Sequence, residues 1–251
     1  MSFIGGFLPP PKACRDCVVR QQALFTPLDD ADLDKIQEVR KGTRRVEAGA
    51  RILPDGDEAG KYMTLHSGWA MRCRSVEDGR TQIANFLLPG AFIDTSFEDA
   101  NGDRYWIEAI TDTHLCVFSG RKLRDAFGAV PDLSRAFTIL CQREEAVLME
   151  HLVDLGRRDA IVRVSHFLLE TFTRVHLLGQ ADEDSCPFPL KQHHLADALG
   201  LSIEHVNRML RDLRERQWVS IKGQRLHLHD IDAIARFCDF NPGYLKPRPM
   251  I

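Results

Sequence analysis

With 251 residues the chain is long enough for one large domain or two modest ones, and 27% charged against 44% hydrophobic residues is an ordinary globular mix. A net charge of −3 excludes a bulk polycation, so any nucleic-acid surface must be a local patch. No apolar run approaches the ~18–20 residues needed to span a bilayer, and the apolar start MSFIGGFLPPP lacks a basic leader, so a cytoplasmic chain without a membrane partner is expected.

Residues 1–22 are a Pro- and Gly-containing leader carrying Cys14-Arg-Asp-Cys17. Seven scattered cysteines in a reducing compartment make such a pair chemical rather than a structural disulfide. DDADLDKIQEVRK (29–41) predicts a short helix, capped by Asp29 or Asp30, with Leu33, Ile36 and Val39 on one face. From about 43 to 120 short apolar segments alternate with glycines. YMTLHSG, WAMRCRSV, TQIANFLL, WIEAIT and THLCVFS read as strands, and their spacing predicts an all-β sandwich or barrel. Glu77-Asp78-Gly79-Arg80 reads as a hairpin turn and Pro89-Gly90 as a second sharp turn.

Residues 131–155 are helical in period. Pro131 suits a first turn, and Leu133, Phe137, Leu140, Val147 or Leu148, and Leu152 form a stripe that Glu144 interrupts. Leu155-Gly156-Arg157-Arg158 reads as a joint before a second helix with Val162, Val164, Phe167, Leu168 and Leu169 apolar. GQADEDSCPFP (179–189) is an acidic, Pro-punctuated loop and a plausible boundary.

HLADALGLSIEHVNRMLRDL (194–213) is a helical pair broken at Gly200-Leu201-Ser202. A helix-turn-helix needs such a break, with glycine for positive φ and a small residue, here Ala196, where the helices cross. Leu195, Leu199, Leu201, Val206 and Met209 or Leu210 would form the seam, and Ser202 the second N-cap. The second helix then presents Ile203, Glu204, Asn207, Arg208 and Arg211 outward. Arg208 can donate twice to guanine, Glu204 can accept from cytosine, and Asn207 can meet a base edge or a phosphate. Six Arg or Lys against Asp212 and Glu215 over 205–226 make the local basic patch. WVSIKGQRLHLHD reads as two strands around Lys222-Gly223-Gln224, a basic hairpin. His193 and His194 would face solvent or phosphate.

Nearly the whole chain resembles the Crp/Fnr superfamily of bacterial transcription regulators. VEAGARILPDGDEAGKYMTLHSGWAMRCRSVEDGRTQIANFLLPGAFID is similar to its β-roll, 131–155 to its dimerisation helix and LADALGLSIEHVNRMLRDL to its recognition unit. The resemblance implies an α+β fold: a leader (1–22), a cyclic-nucleotide-binding-type β-roll or double-stranded β-helix (23–130), a long dimerisation helix and hinge (131–156), and a C-terminal winged helix-turn-helix (157–251). It implies a homodimer on double-stranded DNA, zipped by Leu133, Phe137, Leu140, Val147, Leu148 and Leu152, with a hinge near Asp154-Leu155-Gly156. RNA polymerase is the further partner of an activator. Ile203, Glu204, Asn207 and Arg208 would meet bases, and Lys191, Ser202, Arg211, Lys222 and Arg225 phosphates. An apolar residue at 203 implies an Fnr-like TTGAT or TTGAC half-site.

The resemblance leaves the signal open. Cyclic nucleotide is not expected, because Thr95 stands where the ribose-holding Glu would be and no Arg-Ser-Ala surrounds Asp103-Arg104-Tyr105-Trp106. Cys14, Cys17 and Cys116 match three of four ligands of a 4Fe-4S cluster, but the fourth would fall near Ala23. The alternatives are a thiol switch through Cys14 and Cys17, haem on His66 and Cys73, another ligand, or none. No catalytic residues emerge: a cupin-type metal site needs a His-x-His pair in the roll, where His66 and His114 stand apart, and His227-Leu-His229 lies in the hairpin. The rival function is a ligand-binding regulatory subunit that never meets DNA.

Overall fold

A computed structural model describes residues 11–19, 29–52, 62–95 and 105–246. The chain divides into two units, one built mainly on residues 6–79 and 84–142 and the other on 143–247.

The first unit opens with a 3-10 turn, Cys14–Asp16, and helix α1, Asp30–Val39. Asp29 caps α1 by accepting the Asp32 N–H, and Leu33, Ile36 and Val39 are its buried face. The helix stops two residues short of the expected end because Arg40 turns extended and begins β1, Arg40–Val46. Six further strands follow: β2 (Tyr62–Ser67), β3 (Ala70–Ser75), β4 (Thr81–Leu87), β5 (Phe92–Asp94), β6 (Tyr105–Ala109) and β7 (Thr113–Phe118). They form a four-stranded sheet in the order β1-β7-β2-β5 and a three-stranded sheet β4-β3-β6. Strands from both sheets send alternate residues into one apolar core that includes Met63, Leu65, Ala70, Leu87, Ile93, Ile107 and Leu115. Gly79 and Gly90 adopt positive φ in the two expected turns.

A satellite core joins α1 to a helix not expected from sequence, α2 (Gly120–Ala129), and to the start of the long helix α3 (Pro131–Arg157). Leu33, Ile36, Val39, Leu123, Ala126, Val130 and Leu133 pack there.

In the second unit α3 runs unbroken through Leu155 and Gly156, so the expected hinge lies inside a helix and the joint is at Arg158-Asp159. Helix α4, Ala160–Leu177, is the centre of this unit and is buried on almost every side from Val164 to Phe172. Around it lie β8 (Ser185–Pro187), α5 (Gln192–Leu199), α6 (Ile203–Glu215), β9 (Val219–Lys222), β10 (Arg225–Leu228) and α7 (Ile231–Phe237), with a closing 3-10 turn Pro242–Leu245. The acidic stretch read as a loop contains β8, which adds a third strand to the hairpin in the order β8-β10-β9.

Because α4 is buried all round, its polar residues must be paired. Glu170 is 1% exposed; its carboxylate accepts from the Tyr244 hydroxyl at 2.7 Å and faces His151 Nε2 at 3.1 Å and Arg174 at 3.6 Å. Burial works against its charge, but His151, then Arg174 and Tyr244, outweigh burial and hold the carboxyl at about 2. One helical turn back, His166 lies 3.1 Å from Asp154, which Arg158 binds at 2.7 Å while also reaching Glu150 at 3.0 Å. These contacts pin the end of α3 to α4.

Candidate nucleic-acid interface

The turn between α5 and α6 is built by three residues. Gly200 closes α5 in the left-handed conformation, φ 62° and ψ 38°, and a Cβ there would come within 3.3 Å of Leu155 Cδ2. Leu201 N–H donates to Ala196 O at 3.1 Å, and Arg163 donates to Leu199 O at 2.6 Å, so carbonyls left unpaired at the helix end are satisfied. Ser202 then caps α6, its hydroxyl accepting the His205 N–H at 3.2 Å. Val206, Met209, Leu210 and Leu213 are the buried stripe of α6, facing the buried Leu195, Ala196 and Leu199 of α5; Leu201 is only half-buried.

His194 departs from expectation. It is buried, not turned to solvent or phosphate, and its Nδ1 accepts the Lys191 N–H at 3.1 Å. It stands at the third residue of α5 and folds back over the helix start, the part a Glu or Gln plays in a capping box. Burial first, then His193 and Lys191, push its pKa down to about 4, so it is a neutral acceptor.

The outer face of α6 is open. Ile203, Glu204, Arg208 and Arg211 are exposed and Asn207 is half-buried. Among the described residues neither Arg208 nor Arg211 engages a carboxylate, so both guanidinium groups remain available to an outside anion. The Glu204 carboxyl sits below its ordinary range, held there by its own backbone N–H and the Ser202 hydroxyl at the positive end of the helix. A carboxylate acceptor and a guanidinium donor thus project one turn apart on one helix.

β9 and β10 pair from Lys222↔Arg225 to Val219↔Leu228, and Gly223 and Gln224 both take positive φ at the tip, as a two-residue hairpin requires. Lys222 is exposed beside that tip, as are Lys191 and Ser202 near α5 and α6. Arg225 is engaged within the chain: its guanidinium is bound to Asp182 and, at 2.9 Å, to Ser185, and β8 lies alongside β10. In the single chain it braces the hairpin.

The expected dimer stripe is also redistributed. Leu133, Leu140 and Val147 are 6%, 4% and 1% exposed in the single chain, and Phe137 packs edge-on to Phe92 at 4.9 Å. Leu148 is half-buried. Of the stripe only Leu152 is open, at 62%, and it is joined by Met149, Val153 and Leu155. Leu133 belongs to the satellite core, and the exposed large apolar residues of α3 among the described residues lie in its C-terminal half.

Cys14 is buried in the 3-10 turn, Cys17 Sγ lies 3.7 Å from His66 Nδ1, and Cys116 is buried on β7, where burial pushes its thiol up to about 11. Burial, then His114 and Arg40, push His66 down to about 4. His66 and Cys73, the haem candidates, stand in different sheets. Among the described residues no three His, Cys, Asp or Glu side chains gather into a group able to hold a metal ion. With three thiols, the donor set falls one short of a four-cysteine cluster. Thr95 is buried at the end of β5, while Ala23, Asp103 and Arg104 lie outside the described residues.

Residues 43–129 match the cyclic nucleotide-binding domain family and residues 162–237 the Crp-like helix-turn-helix domain family. The chain is 30% identical to the nitrogen fixation regulation protein FixK of Bradyrhizobium diazoefficiens, covering 83% of this chain and 86% of that one. It is 25% identical to the transcriptional activator protein anr of Pseudomonas aeruginosa, over 88% of this chain and 90% of that one. Among solved structures, that of FixK2 from Bradyrhizobium japonicum matches with a TM-score of 0.67 and 25% identity, covering 79% of this chain and 97% of that one.

Proposed function

The chain belongs to the Crp/Fnr family of DNA-binding transcription regulators, and we propose that it reads an inverted repeat as a cytoplasmic homodimer, without catalytic activity. Two copies would join along the C-terminal half of α3 through Met149, Leu152, Val153 and Leu155. This would set two α6 helices about 34 Å apart, in successive major grooves. Arg208 would make a bidentate pair with guanine O6 and N7, and Glu204 would accept from the partner cytosine. Ile203 offers an apolar contact in place of a donor, which favours a TTGAT or TTGAC half-site. Asn207 completes the base-reading set. Lys191, Ser202, Arg211 and Lys222 would take phosphates, which position the helix without reading sequence. The relatives named as activators support RNA polymerase as a further partner.

The single observation that carries this reading is the pair of exposed arginines on α6 that, among the described residues, no carboxylate holds. A regulatory subunit that never meets DNA gives no reason to keep them so. The test is anisotropy of a labelled duplex carrying a TTGAT-type palindrome, with a scrambled duplex as control. Binding of the palindrome about a thousandfold or more tighter than of the scrambled duplex is expected, the lower end of the range of specific over nonspecific binding. Equal binding of the two duplexes sinks the assignment.

A further inference from the structure

β9 is the last strand of its sheet, in the order β8-β10-β9, and among the described residues no strand lies beyond it. The direction of its backbone groups follows from the register. His229 N–H donates to Trp218 O, which makes Val219↔Leu228 a pair whose own backbone groups do not meet. The Leu228 N–H accordingly donates the other way, to Asp184 O beside β8 at 2.8 Å. By alternation Ser220 and Lys222 bond across to β10, while the N–H and C=O of Val219 and Ile221 point away from it. The outer edge of β9 is therefore lined by donors and acceptors that have no strand to meet.

A groove of about 230 Å³ lies between β9, the start of α5 and the second half of α6. Val219, Ser220 and Ile221 are its wall, and the buried Phe188, Leu195 and Leu210 give it an apolar floor. Lys191 and Arg214 also border it; both are exposed, and among the described residues neither engages a carboxylate. The volume exceeds that of a cavity of about 150 Å³ that admits benzene, so an apolar side chain fits.

These features select the occupant. Donors and acceptors along a sheet edge are met by another extended backbone, which adds as a strand. The pleat of that strand sends alternate side chains to one face, where the apolar floor receives them. The two cations beside the floor call for acidic residues. A DNA phosphate suits the edge less well, because the Val219 and Ile221 carbonyls would face its oxygens, acceptor against acceptor. A second copy of this chain would bring a second Lys191 and Arg214 against the first, and like charges repel.

We propose that this groove is a docking site for an extended, acidic segment of another protein, which joins β9 as a fourth strand. Val219 and Ile221 supply its backbone partners, and Lys191 and Arg214 hold its carboxylates. Lys191 is also among the residues assigned to DNA phosphates, so an occupied groove competes with DNA. The docking step stands by itself; the competition rests on the proposed function.

The probe is a peptide of about eight residues, an ordinary strand length, that alternates Val and Glu. Calorimetric titration into the full-length protein should show one site per chain. The same peptide with Lys in place of Glu should bind at least about tenfold more weakly. Only one alternate set of peptide nitrogens can face β9. Methylating the Val nitrogens in one peptide and the Glu nitrogens in another should therefore abolish binding once and spare it once. Ile221→Pro removes an outward N–H without breaking a bond to β10 and should abolish binding. Arg214→Glu should weaken it at least about tenfold. The methylated peptides keep the idea open to refutation where Ile221→Pro fails to fold. Saturating peptide should weaken binding of the palindrome at least about threefold. No titration signal, equal binding of the Lys peptide, or equal binding of the two methylated peptides overturns the docking site. A peptide that fails while Arg214→Ala weakens every duplex alike overturns it in favour of the DNA backbone. Self-association that Ile221→Pro removes overturns it in favour of a second copy. Peptide binding that leaves DNA affinity untouched overturns the competition. Failure of the palindrome to bind with no peptide present counts against the proposed function and leaves the titration result standing.

Discussion

The second unit handles charge in two opposite ways. On α6, Arg208 and Arg211 are exposed and, among the described residues, engage no carboxylate, and the Glu204 carboxyl is held below its ordinary range at the helix start. Around α4, Glu170 and Asp154 are each 1% exposed and are held by His151, Arg158, Arg174 and Tyr244. An exposed charge keeps its hydration until a partner replaces it, so its contribution appears on binding. A buried charge has already lost its hydration, so its contribution is spent on holding α3, α4 and the C-terminal turn together. Truncation should therefore damage binding in the first set and stability in the second.

The largest effect is expected at Glu170. Glu170→Ala leaves His151, Arg174 and the Tyr244 hydroxyl facing an apolar gap, and removing one member of a buried pair typically costs about 3–5 kcal/mol. Urea unfolding followed by circular dichroism should show a lower midpoint with an unchanged slope. A midpoint equal to that of the parent protein would mean that the buried charges hold nothing. Acid should act on the same group. The Glu170 carboxyl is held at about 2 against an ordinary value of 4.5, so it contributes stability above pH 4.5 that is lost as the pH falls toward 2. The variant should lack that part of the acid slope.

Arg208→Ala should do the reverse. The expected loss is about 1–3 kcal/mol of DNA affinity per half-site, with relaxed preference at one G·C pair and an unchanged melting temperature. Arg211→Ala should weaken all duplexes alike and reduce the slope of log K against log salt by about 1. A sequence-specific loss at Arg211, or none at Arg208, would exchange or cancel the roles given to the two.

The two charge sets also differ in how far the sequence discloses them. The pattern of α6 is local: Gly200, Ser202, the buried stripe and the outward arginines lie within fifteen residues, and helical period alone sorts them. The strands β2, β3, β4, β6 and β7 were legible for the same reason, through alternation between glycine turns. The buried set is not local. Tyr244 meets Glu170 from 74 positions away, so nothing near Glu170 reveals that partner. Glu170 and His166 in an apolar stretch look like the outer edge of an amphipathic helix, yet α4 has no outer edge. β1 was missed because its RKGTRRV buries only Val46 and lies at a sheet edge, where charged residues are common. α2 was missed because Leu123 and Ala126 alone supply its buried face. The stripe on α3 was found, but its first half belongs to the satellite core, and sequence cannot separate a face used within a protomer from one offered to a second.

The smallest of these effects is expected at His194, where the comparison is sharpest because the residue lies at the entrance to the reading unit yet behaves like the buried set. Its Nδ1 must be neutral to accept the Lys191 N–H. His194→Ala removes that acceptor and should cost about 0.5–1.5 kcal/mol at pH 7.5, the net value of one hydrogen bond. The pH dependence separates this from simple loss of packing. With its pKa near 4 in the folded chain and 6.5 when unfolded, His194 binds a proton more readily in the unfolded state throughout that window. Stability is therefore complete above pH 6.5 and falls as the pH drops toward 4. The variant should lose stability less steeply over this range, with part of the slope surviving because His66 is depressed to the same extent in the other unit. Parallel curves for variant and parent between pH 6.5 and 4 would show that His194 is protonated in the folded chain after all, and that the start of α5 is capped some other way.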